Sequence, residues 1–283
     1  MANIIDGKKL ALELRDECAS RVLELKKRGV EPRLDVVIVG NDPASKQYVN
    51  SRMKDCDDIG LKSETHVLEE NASQQELIDL LDLLCADSAV HGILLQMPLP
   101  KHMDQDEVLS HIRPEKDVDG LTVLNAGALF TGRSGFAPCT PSSIMHLIKS
   151  TGVPLKGKNA VVVGRSIVVG KPAAMLLLNE HATVTICHSR TADLSEHIRS
   201  ADIVVAAVGV PKLIKGDMIK PGAIVVDAGI NRVDGKTVGD VDFEQAEKVA
   251  GYISPVPGGV GPVTRKILLS NTLTAAERAN GIE

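Results

Sequence analysis

The sequence predicts an α/β fold of two α/β domains around a cleft, the second a Rossmann-like, doubly wound parallel sheet. Short β-branched runs alternate with amphipathic stretches at helical spacing, which is typical of repeated strand–helix units. Aromatic residues are scarce (no Trp, two Tyr, three Phe), so Val, Ile, Leu and Ala must build the core, as in parallel strands covered on both faces. The chain has 283 residues, more than the usual size of one domain.

The elements of the first half follow from apolar periodicity and from glycine and proline positions. Leu10, Leu14, Cys18 and Val22 recur at helical spacing and predict a helix near 7–28. The pattern then predicts a strand over 34–40, a helix from Pro43 to the stop at Gly60, a strand near 62–68, a helix near 73–86 and a strand over 92–96.

The second half repeats this alternation after a segment, 98–141, whose Pro, Gly and charge content indicates a connector with surface loops. We expect a strand over 159–164, a helix over 168–180, and strands over 183–187, 202–207 and 223–227. The Pro- and Gly-rich stretch 255–262 predicts a loop, and an apolar helix is expected over 263–279.

Composition excludes several classes of protein. The formal charge of −5 with mixed signs gives no basic stripe for a nucleic-acid partner. Five dispersed cysteines without a C-x-x-C pair argue against a disulfide framework and a structural zinc site, and we expect no bound metal. The first residues do not resemble a secretory leader and no apolar run reaches 18 residues, so we expect a cytoplasmic protein without membrane contact.

A candidate phosphate-binding turn lies between the strand at 159–164 and the next helix. Gly164, Arg165, Ser166 and Gly170 lie between a buried strand and a helix, the position that a phosphate-binding turn needs, since a helix start offers free N–H groups and a positive dipole end. Ser166 replaces the second glycine of G-x-G-x-x-G, and the last glycine comes one residue late. The motif therefore allows cofactor binding or a plain tight turn.

The end of the next strand favours NADP as the cofactor. NAD-specific sites usually place an acid there for the ribose hydroxyl, whereas this chain has Ser189 and Arg190, which with Arg165 can hold a 2′-phosphate. An ordinary surface role for Arg190 remains open. Gly209 and Ile230 follow the next two strands, where small residues would let a nicotinamide approach the sheet edge.

Many short motifs occur in an order and at a spacing that together are specific. They are Ile5–Gly7, Val39–Gly40, Pro43–Ser45, Tyr48–Val49, Gly92–Pro100, Lys116–Gly120, Pro138–Pro141, Val163–Ser166, Val169–Gly170, Lys220–Ala223, Gly239–Val241 and Pro255–Pro262. Through these segments the chain resembles the bifunctional methylenetetrahydrofolate dehydrogenase/methenyltetrahydrofolate cyclohydrolase family over essentially its full length.

The resemblance implies roles for a set of residues in binding a tetrahydrofolate derivative. Tyr48 would stack on the aminobenzoyl ring, Gln96 would lie beside the reacting carbon, and Asp119 would accept hydrogen bonds from the pterin. Each also has a structural reading: Tyr48 as packing, Gln96 as a satisfied strand end and Asp119 as a turn residue. Further residues implied at the pocket or the cofactor are Pro257, Gly258, Gly259 and Thr264.

One position departs from the family pattern. The family has a lysine four residues after the tyrosine, and this chain has Arg52. Guanidinium groups have a pKa above about 12, so Arg52 keeps the positive charge but cannot act as a base. Lys54 is a poor substitute because two residues on a helix turn a side chain by about 200°.

The resemblance implies an oxidoreductase that interconverts 5,10-methylenetetrahydrofolate and 5,10-methenyltetrahydrofolate with NADP, in one-carbon metabolism and purine biosynthesis. Arg52 puts the second activity, hydrolysis to 10-formyltetrahydrofolate, in doubt. A monofunctional dehydrogenase, a reductase of another small substrate and a catalytically silent binding protein remain alternatives. The expected domains are 1–120 for folate, with the helix 263–283 packing back on it, and 121–262 for NADP. A homodimer is also implied.

Overall fold

The computed structural model describes residues 1–40 and 43–282, and the side chains of residues 41–50 lie outside the described part. The chain forms two compact units. The six-stranded unit comprises Met1–Leu12 and Pro138–Thr264, and the three-stranded unit comprises Glu13–Ala137 and Arg265–Glu283. Of the three divisions along the chain, two fall inside helices, α1 (Gly7–Lys27) and α10 (Val260–Ala279).

The three-stranded unit contains β2 (Arg33–Val39), β3 (Lys62–Leu68) and β4 (Gly92–Leu95) in the order β3-β2-β4, all parallel. Its helices are α2 (Pro43–Ile59), α3 (Gln74–Ala86), α4 (Gln105–Ser110) and α5 (Val123–Thr131). The central strand β2 is buried along most of its length, and β4 is wholly buried. Both lie in parallel pairs, as the continuous apolar runs predicted.

The six-stranded unit has the strand order β1-β11-β8-β7-β5-β6, with every neighbouring pair parallel. Its strands are β1 (Asn3–Ile4), β5 (Asn159–Val163), β6 (Thr183–Cys187), β7 (Ile203–Ala206), β8 (Ile224–Asp227) and β11 (Tyr252–Ile253). Its remaining elements are α6 (Cys139–Ser150), α7 (Gly170–Asn179), α8 (Leu194–Arg199), α9 (Phe243–Ala246), a 3₁₀ turn at Gly216–Met218 and the hairpin β9 (Asn231–Val233) and β10 (Lys236–Val238).

The strand order explains where ligands can bind. The chain runs from β5 to β6 on one side and then to β7 on the other side of β5, so the connections diverge between β5 and β7. Open parallel sheets bind ligands outside the carboxyl ends of the strands at such a switch point. The prediction of an α/β chain with a doubly wound parallel sheet is confirmed.

Two expectations about the loops were wrong in part. The connector at 98–141 contains α4 and α5, whose starts are capped by the side chains of Asp104 and Thr122. The loop at 255–262 ends early because α10 begins at Val260. Pro262 lies in the first turn of α10, where a missing N–H removes no helical hydrogen bond.

All five cysteines are buried free thiols. Burial raises the pKa of Cys18 to about 11 and that of Cys56 to about 12. Burial also raises the pKa values of Cys85 and Cys187. Among the helices of the described residues, none has the length and apolar character needed to cross a membrane.

Candidate active site

Gln96 stands at the carboxyl end of β4 and is held by both ends of its amide. Its backbone N–H donates to the Val37 carbonyl at 2.8 Å, which continues the pairing with the central strand. Its Nε2 donates to the Met97 carbonyl at 2.7 Å, and its Oε1 accepts from Nη1 of Arg52. Arg52 and Gln96 are both half-buried, and they form one polar group at the sheet edge.

Asp119 lies in a segment that runs beside β4. Ile93 bridges to Asp117 in parallel, and Asp119 lies in the turn that follows, which the hydrogen bond from the Gly120 N–H to the Asp117 carbonyl closes at 3.0 Å. The Asp117 side chain is buried and accepts from the N–H groups of Leu121 and Thr122 at 3.1 and 2.8 Å. Asp117 therefore fixes the loop, while Asp119 is half-buried in the turn.

A buried ion pair lies one helical turn beyond Arg52. Asp55 is three residues along α2, and helix residues three apart are neighbours on one face. Its Oδ1 accepts from Nζ of Lys266 at 2.7 Å, and Nε of Arg265 lies 3.3 Å from its Oδ2. Lys54, by contrast, is exposed. The Arg52 face of α2 therefore continues into a buried cluster of charges.

The predicted Tyr48 lies on α2, but its side chain is outside the described residues. Of the other residues predicted for the folate and its reaction in this unit, Arg52 and Gln96 meet at the carboxyl edge of the three-stranded sheet. Asp119 lies in the turn after the segment that bridges to β4.

The turn after β5 is sterically specified by glycine. Gly164 has φ +133°, and a Cβ there would lie 2.2 Å from the Ala207 carbonyl oxygen. A Cβ at Gly170 would lie 2.2 Å from the Gly164 carbonyl oxygen. Oγ of Ser166 accepts from the N–H groups of Val169 and Gly170 at 3.0 and 3.3 Å, so this side chain fastens the loop to the start of α7.

Arg165 and the pair Ser189 and Arg190 follow two hydrogen-bonded strands. Val163 pairs with Cys187 in the register of β5 and β6, which brings the segments after both strands to the same corner of the sheet. All three side chains are exposed, and no acid occurs over 188–191. This corner is suited to a phosphate group.

The segments after β7 and β8 contain Gly209 and Ile230, and two buried carboxylates lie with them. Oδ2 of Asp240 accepts from the N–H groups of Val208 and Gly209 at 2.7 and 2.9 Å. Asp227 ends β8, and burial raises its pKa to about 6, with a smaller contribution from the negative charge of Asp240. Ile230 is exposed.

The loop that contains Pro257, Gly258 and Gly259 lies in the six-stranded unit, against the start of α1. A Cβ at Gly7 would lie 1.9 Å from the Gly259 carbonyl oxygen, so the loop and the helix start are in direct contact. Gly258 has φ +112°, which favours glycine. Oγ1 of Thr264 donates to the Val260 carbonyl at 3.1 Å within α10. The structure thus places Pro257–Gly259 and Thr264 in the six-stranded unit.

Within the part of the chain that the structure describes, one cluster of side chains, Asp35, Glu64 and His66, brings three potential metal-ligand atoms within 4.8 Å of one another. Nε and Nη2 of Arg33 donate to the two oxygens of Asp35 at 2.6 and 2.7 Å, and Nη2 also reaches Glu64 at 2.8 Å. The Arg33 guanidinium already occupies oxygens of both carboxylates, and we interpret the cluster as an ion-pair network.

Sequence reasoning predicted no supporting role for three buried acids, Asp117, Asp227 and Asp240. A weak signal was present, because Asp117 precedes a glycine turn, Asp227 ends a buried strand and Asp240 follows Gly239. Their function as acceptors for loop N–H groups depends on contacts between distant segments, which the sequence pattern does not show.

Two family models match the chain. "Tetrahydrofolate dehydrogenase/cyclohydrolase, catalytic domain" matches residues 5–119, and "Tetrahydrofolate dehydrogenase/cyclohydrolase, NAD(P)-binding domain" matches residues 138–280. A curated relative, "Bifunctional protein FolD" of Moorella thermoacetica, is 55% identical over 278 residues, covering 98% of this chain and 99% of the relative.

Solved structures agree with these matches. The bifunctional enzyme FolD of Campylobacter jejuni has a TM-score of 0.96 at 47% identity, covering 98% of this chain and 99% of that one. The methylenetetrahydrofolate dehydrogenase-cyclohydrolase of Trypanosoma brucei, complexed with NADP and an inhibitor, has a TM-score of 0.93 at 41% identity, covering 99% and 98%.

Proposed function

Because this chain belongs to the tetrahydrofolate dehydrogenase/cyclohydrolase family, we propose that it oxidises 5,10-methylenetetrahydrofolate with NADP and hydrolyses the methenyl product only weakly. The matched catalytic and NAD(P)-binding domains confirm an enzyme with a nicotinamide nucleotide cofactor. The observation that carries the weak hydrolysis is the contact of Arg52 with Gln96 at the carboxyl edge of the three-stranded sheet. Assaying both half-reactions on the purified protein tests the proposal.

We assign the folate to the three-stranded unit and the cofactor to the six-stranded unit. In the first, Gln96 would lie beside the one-carbon bridge, Asp119 would accept the paired N–H donors of the pterin, and Tyr48 would stack on the aminobenzoyl ring. A carboxylate suits such paired donors because it accepts two parallel hydrogen bonds. In the second, Pro257–Gly259 would border the pocket, and Thr264 would contact the cofactor.

Hydride transfer demands alignment more than acid–base help. The reaction removes one hydrogen with its electron pair from the bridge carbon and leaves the methenyl cation, which the two flanking nitrogens stabilise. The bound nicotinamide ring supplies the hydride acceptor. The protein contributes mainly by holding the folate and the nicotinamide in the correct relative position. Gln96 is suited to this because Arg52 and the Met97 carbonyl hold both ends of its amide.

Hydrolysis makes a different demand. Water adds to the methenyl carbon and loses a proton, and a proton must reach the departing ring nitrogen as 10-formyltetrahydrofolate forms. A positioned group that gives and takes protons commonly contributes about 10²- to 10⁴-fold to such steps. Arg52 can orient a water or Gln96 but cannot take the proton. This favours a chain that acts mainly as a dehydrogenase.

Two further proposals concern the setting of the protein. We infer that it is a cytoplasmic enzyme of one-carbon metabolism, in the reactions that supply purine biosynthesis, and that it forms a homodimer. Both are supported by family membership. Analytical ultracentrifugation of the purified chain tests the dimer, and fractionation of the source cells tests the location.

We expect NADP to bind at least ~10-fold more tightly than NAD. The corner formed by Arg165, Ser189 and Arg190 has no acid and can hold a 2′-phosphate, and a charge-assisted hydrogen bond is worth ~1.5–3 kcal/mol. Calorimetric titration with both cofactors measures the ratio. Arg190→Ala should lower the ratio of NADP affinity to NAD affinity. Arg133 is an exposed arginine of the other unit, and Arg133→Ala should leave this ratio unchanged. Equal or tighter binding of NAD would contradict the assignment.

Asp119→Ala is expected to weaken folate binding ~10- to 100-fold and to leave NADP affinity near the parent value. The substitution removes the pterin acceptor, while Asp117 continues to hold the loop through Leu121 and Thr122. Calorimetry with a tetrahydrofolate derivative measures the change, and Asp58→Ala, an exposed acid of the same unit, is the control. Folate affinity within twofold of the parent would refute the role.

A further inference from the structure

Asp240 connects two segments at the carboxyl edge of the six-stranded sheet. Its Oδ2 accepts from the N–H groups of Val208 and Gly209, which follow β7, at 2.7 and 2.9 Å. Its Oδ1 accepts from Nδ2 of Asn231, at the start of β9, at 2.9 Å. The side chain is fully buried. One carboxylate therefore fixes both segments to each other.

Asp227 in turn fixes Asp240. Oδ1 of Asp227 accepts from the N–H groups of Gly229 and Asp240 at 2.9 and 3.1 Å, and Oδ2 accepts from that of Val241 at 2.8 Å. A Cβ at Gly229 would lie 2.3 Å from Cγ of Asp240, and one at Gly239 would lie 2.0 Å from Oδ2 of Asp227. The surrounding chain is thus shaped around the two carboxylates.

The bonds to Asp240 determine the direction of two peptide planes. In a trans peptide the carbonyl points opposite to the N–H of the next residue. The N–H of Val208 faces Asp240, so the Ala207 carbonyl points away from it, and the Ala207 oxygen lies where a Cβ of Gly164 would come within 2.2 Å. Asp240 therefore fixes the direction of the Ala207 carbonyl beside the turn after β5, while the hydrogen bond from the Ala207 N–H to the Val163 carbonyl at 2.8 Å holds the two segments together.

Holding a loop with two buried carboxylates is unfavourable in free energy. Removing a charge from water is unfavourable, and a like charge nearby adds to the cost. This cost is visible in Asp227, whose pKa burial raises to about 6. The arrangement fixes the segment after β7, one of the two strands that border the switch point of the sheet, where a ligand is expected. Cost and location together indicate a role beyond stability.

We propose that Asp240 is a positioning residue for hydride transfer, acting through the peptide planes from Ala207 to Gly209 that border the nicotinamide end of the cofactor site. The inference rests on the proposed function of the six-stranded unit. The phosphate end of the cofactor binds elsewhere, at the turn after β5. Loss of the Asp240 carboxylate should therefore misalign the ring while leaving most of the cofactor's affinity intact.

The test compares Asp240→Asn with Asp242→Asn by single-turnover reduction of NADP, and measures the NADP dissociation constant of each variant. Asp242 is a buried acid of the same segment whose side chain accepts hydrogen bonds from Lys215 and Gln245 and not from the N–H groups of Val208 and Gly209. We expect Asp240→Asn to slow hydride transfer ~10- to 100-fold, the usual cost of a misplacement near 1 Å, with NADP affinity within about threefold of the parent. Asp242→Asn should transfer hydride at the parent rate even if its melting temperature falls.

The possible outcomes separate the inference from the proposed function. A parent protein that reduces no NADP with methylenetetrahydrofolate overturns the proposed function. An active parent with an Asp240→Asn rate within twofold overturns the inference, as does equal slowing in the Asp242→Asn control. If Asp240→Asn does not fold, Asp227→Asn is tested in its place. This variant keeps the Asp240 carboxylate but weakens the hydrogen bonds that hold the backbone of Asp240. Slowed transfer with retained NADP affinity supports the inference there, and a parent-like rate overturns it.

Discussion

Arg52→Lys is expected to raise the rate of methenyltetrahydrofolate hydrolysis by ~10²-fold or more, with a much smaller change in the dehydrogenase rate. Hydride transfer needs two aligned ligands, and either cation can donate to Oε1 of Gln96 as Arg52 does. Hydrolysis needs a group that can give and take a proton near neutral pH. A lysine amine shifts its pKa readily when partly buried, and a guanidinium does not.

The measurement follows the decay of methenyltetrahydrofolate absorbance in the parent and the variant, corrected for spontaneous hydrolysis. Lys54→Arg is the matched control, because it changes the same pair of residue types at an exposed position on the same helix. A parent that hydrolyses as fast as Arg52→Lys would show that Arg52 needs only to hold a water beside Gln96. In that case the folate or bulk water carries the proton.

Gly164→Ala is expected to lower NADP affinity more than ~10-fold and to destabilise the six-stranded unit by about 2–4 kcal/mol. Its Cβ would lie 2.2 Å from the oxygen and 2.8 Å from the carbon of the Ala207 carbonyl, and backbone atoms cannot rotate away as a flexible side chain can. Relief requires a shift of β5 against β7, which would open the phosphate-binding turn.

Gly157→Ala separates this clash from backbone strain alone. Gly157 also has positive φ, +76°, but nothing lies within 4 Å of its added Cβ. Gly157→Ala should lower the free energy of unfolding by ~1–2 kcal/mol and leave NADP affinity unchanged. Calorimetric titration and thermal unfolding of both variants provide the comparison. If Gly164→Ala binds NADP as tightly as Gly157→Ala, close packing of the turn against β7 is not needed for the cofactor.

The sequence predicted the elements whose pattern is local and long. The run at β5 and the glycine turn before α7 were recognisable because a buried parallel strand is apolar throughout and the turn must admit a close backbone approach. Strands β1 and β11 have two residues each, and only their parallel pairing reveals them. The hairpin β9–β10 was missed although Asp234-Gly235 is a turn signal.

The same contrast between local patterns and contacts of distant segments applies to the candidate site. Gln96 is predicted as a site residue because it ends a buried strand, and Asp119 because it stands in a specific motif. The contacts by which buried acids fix the loops of the two units could not be predicted. Asp117 reaches the N–H groups of residues four and five positions later, and Asp240 reaches Val208 from 32 residues away. Local periodicity contains no information about such pairs.

Because all five thiols are buried, the rate at which each one reacts measures how often the structure around it opens. A buried thiol with a raised pKa is a poor nucleophile, so a disulfide reagent can react only while the surrounding structure is open. Cys18, Cys56 and Cys85 belong to the three-stranded unit, and Cys139 and Cys187 to the six-stranded unit. Labelling followed by mass spectrometry would therefore give an opening free energy for each unit separately, without any engineered probe.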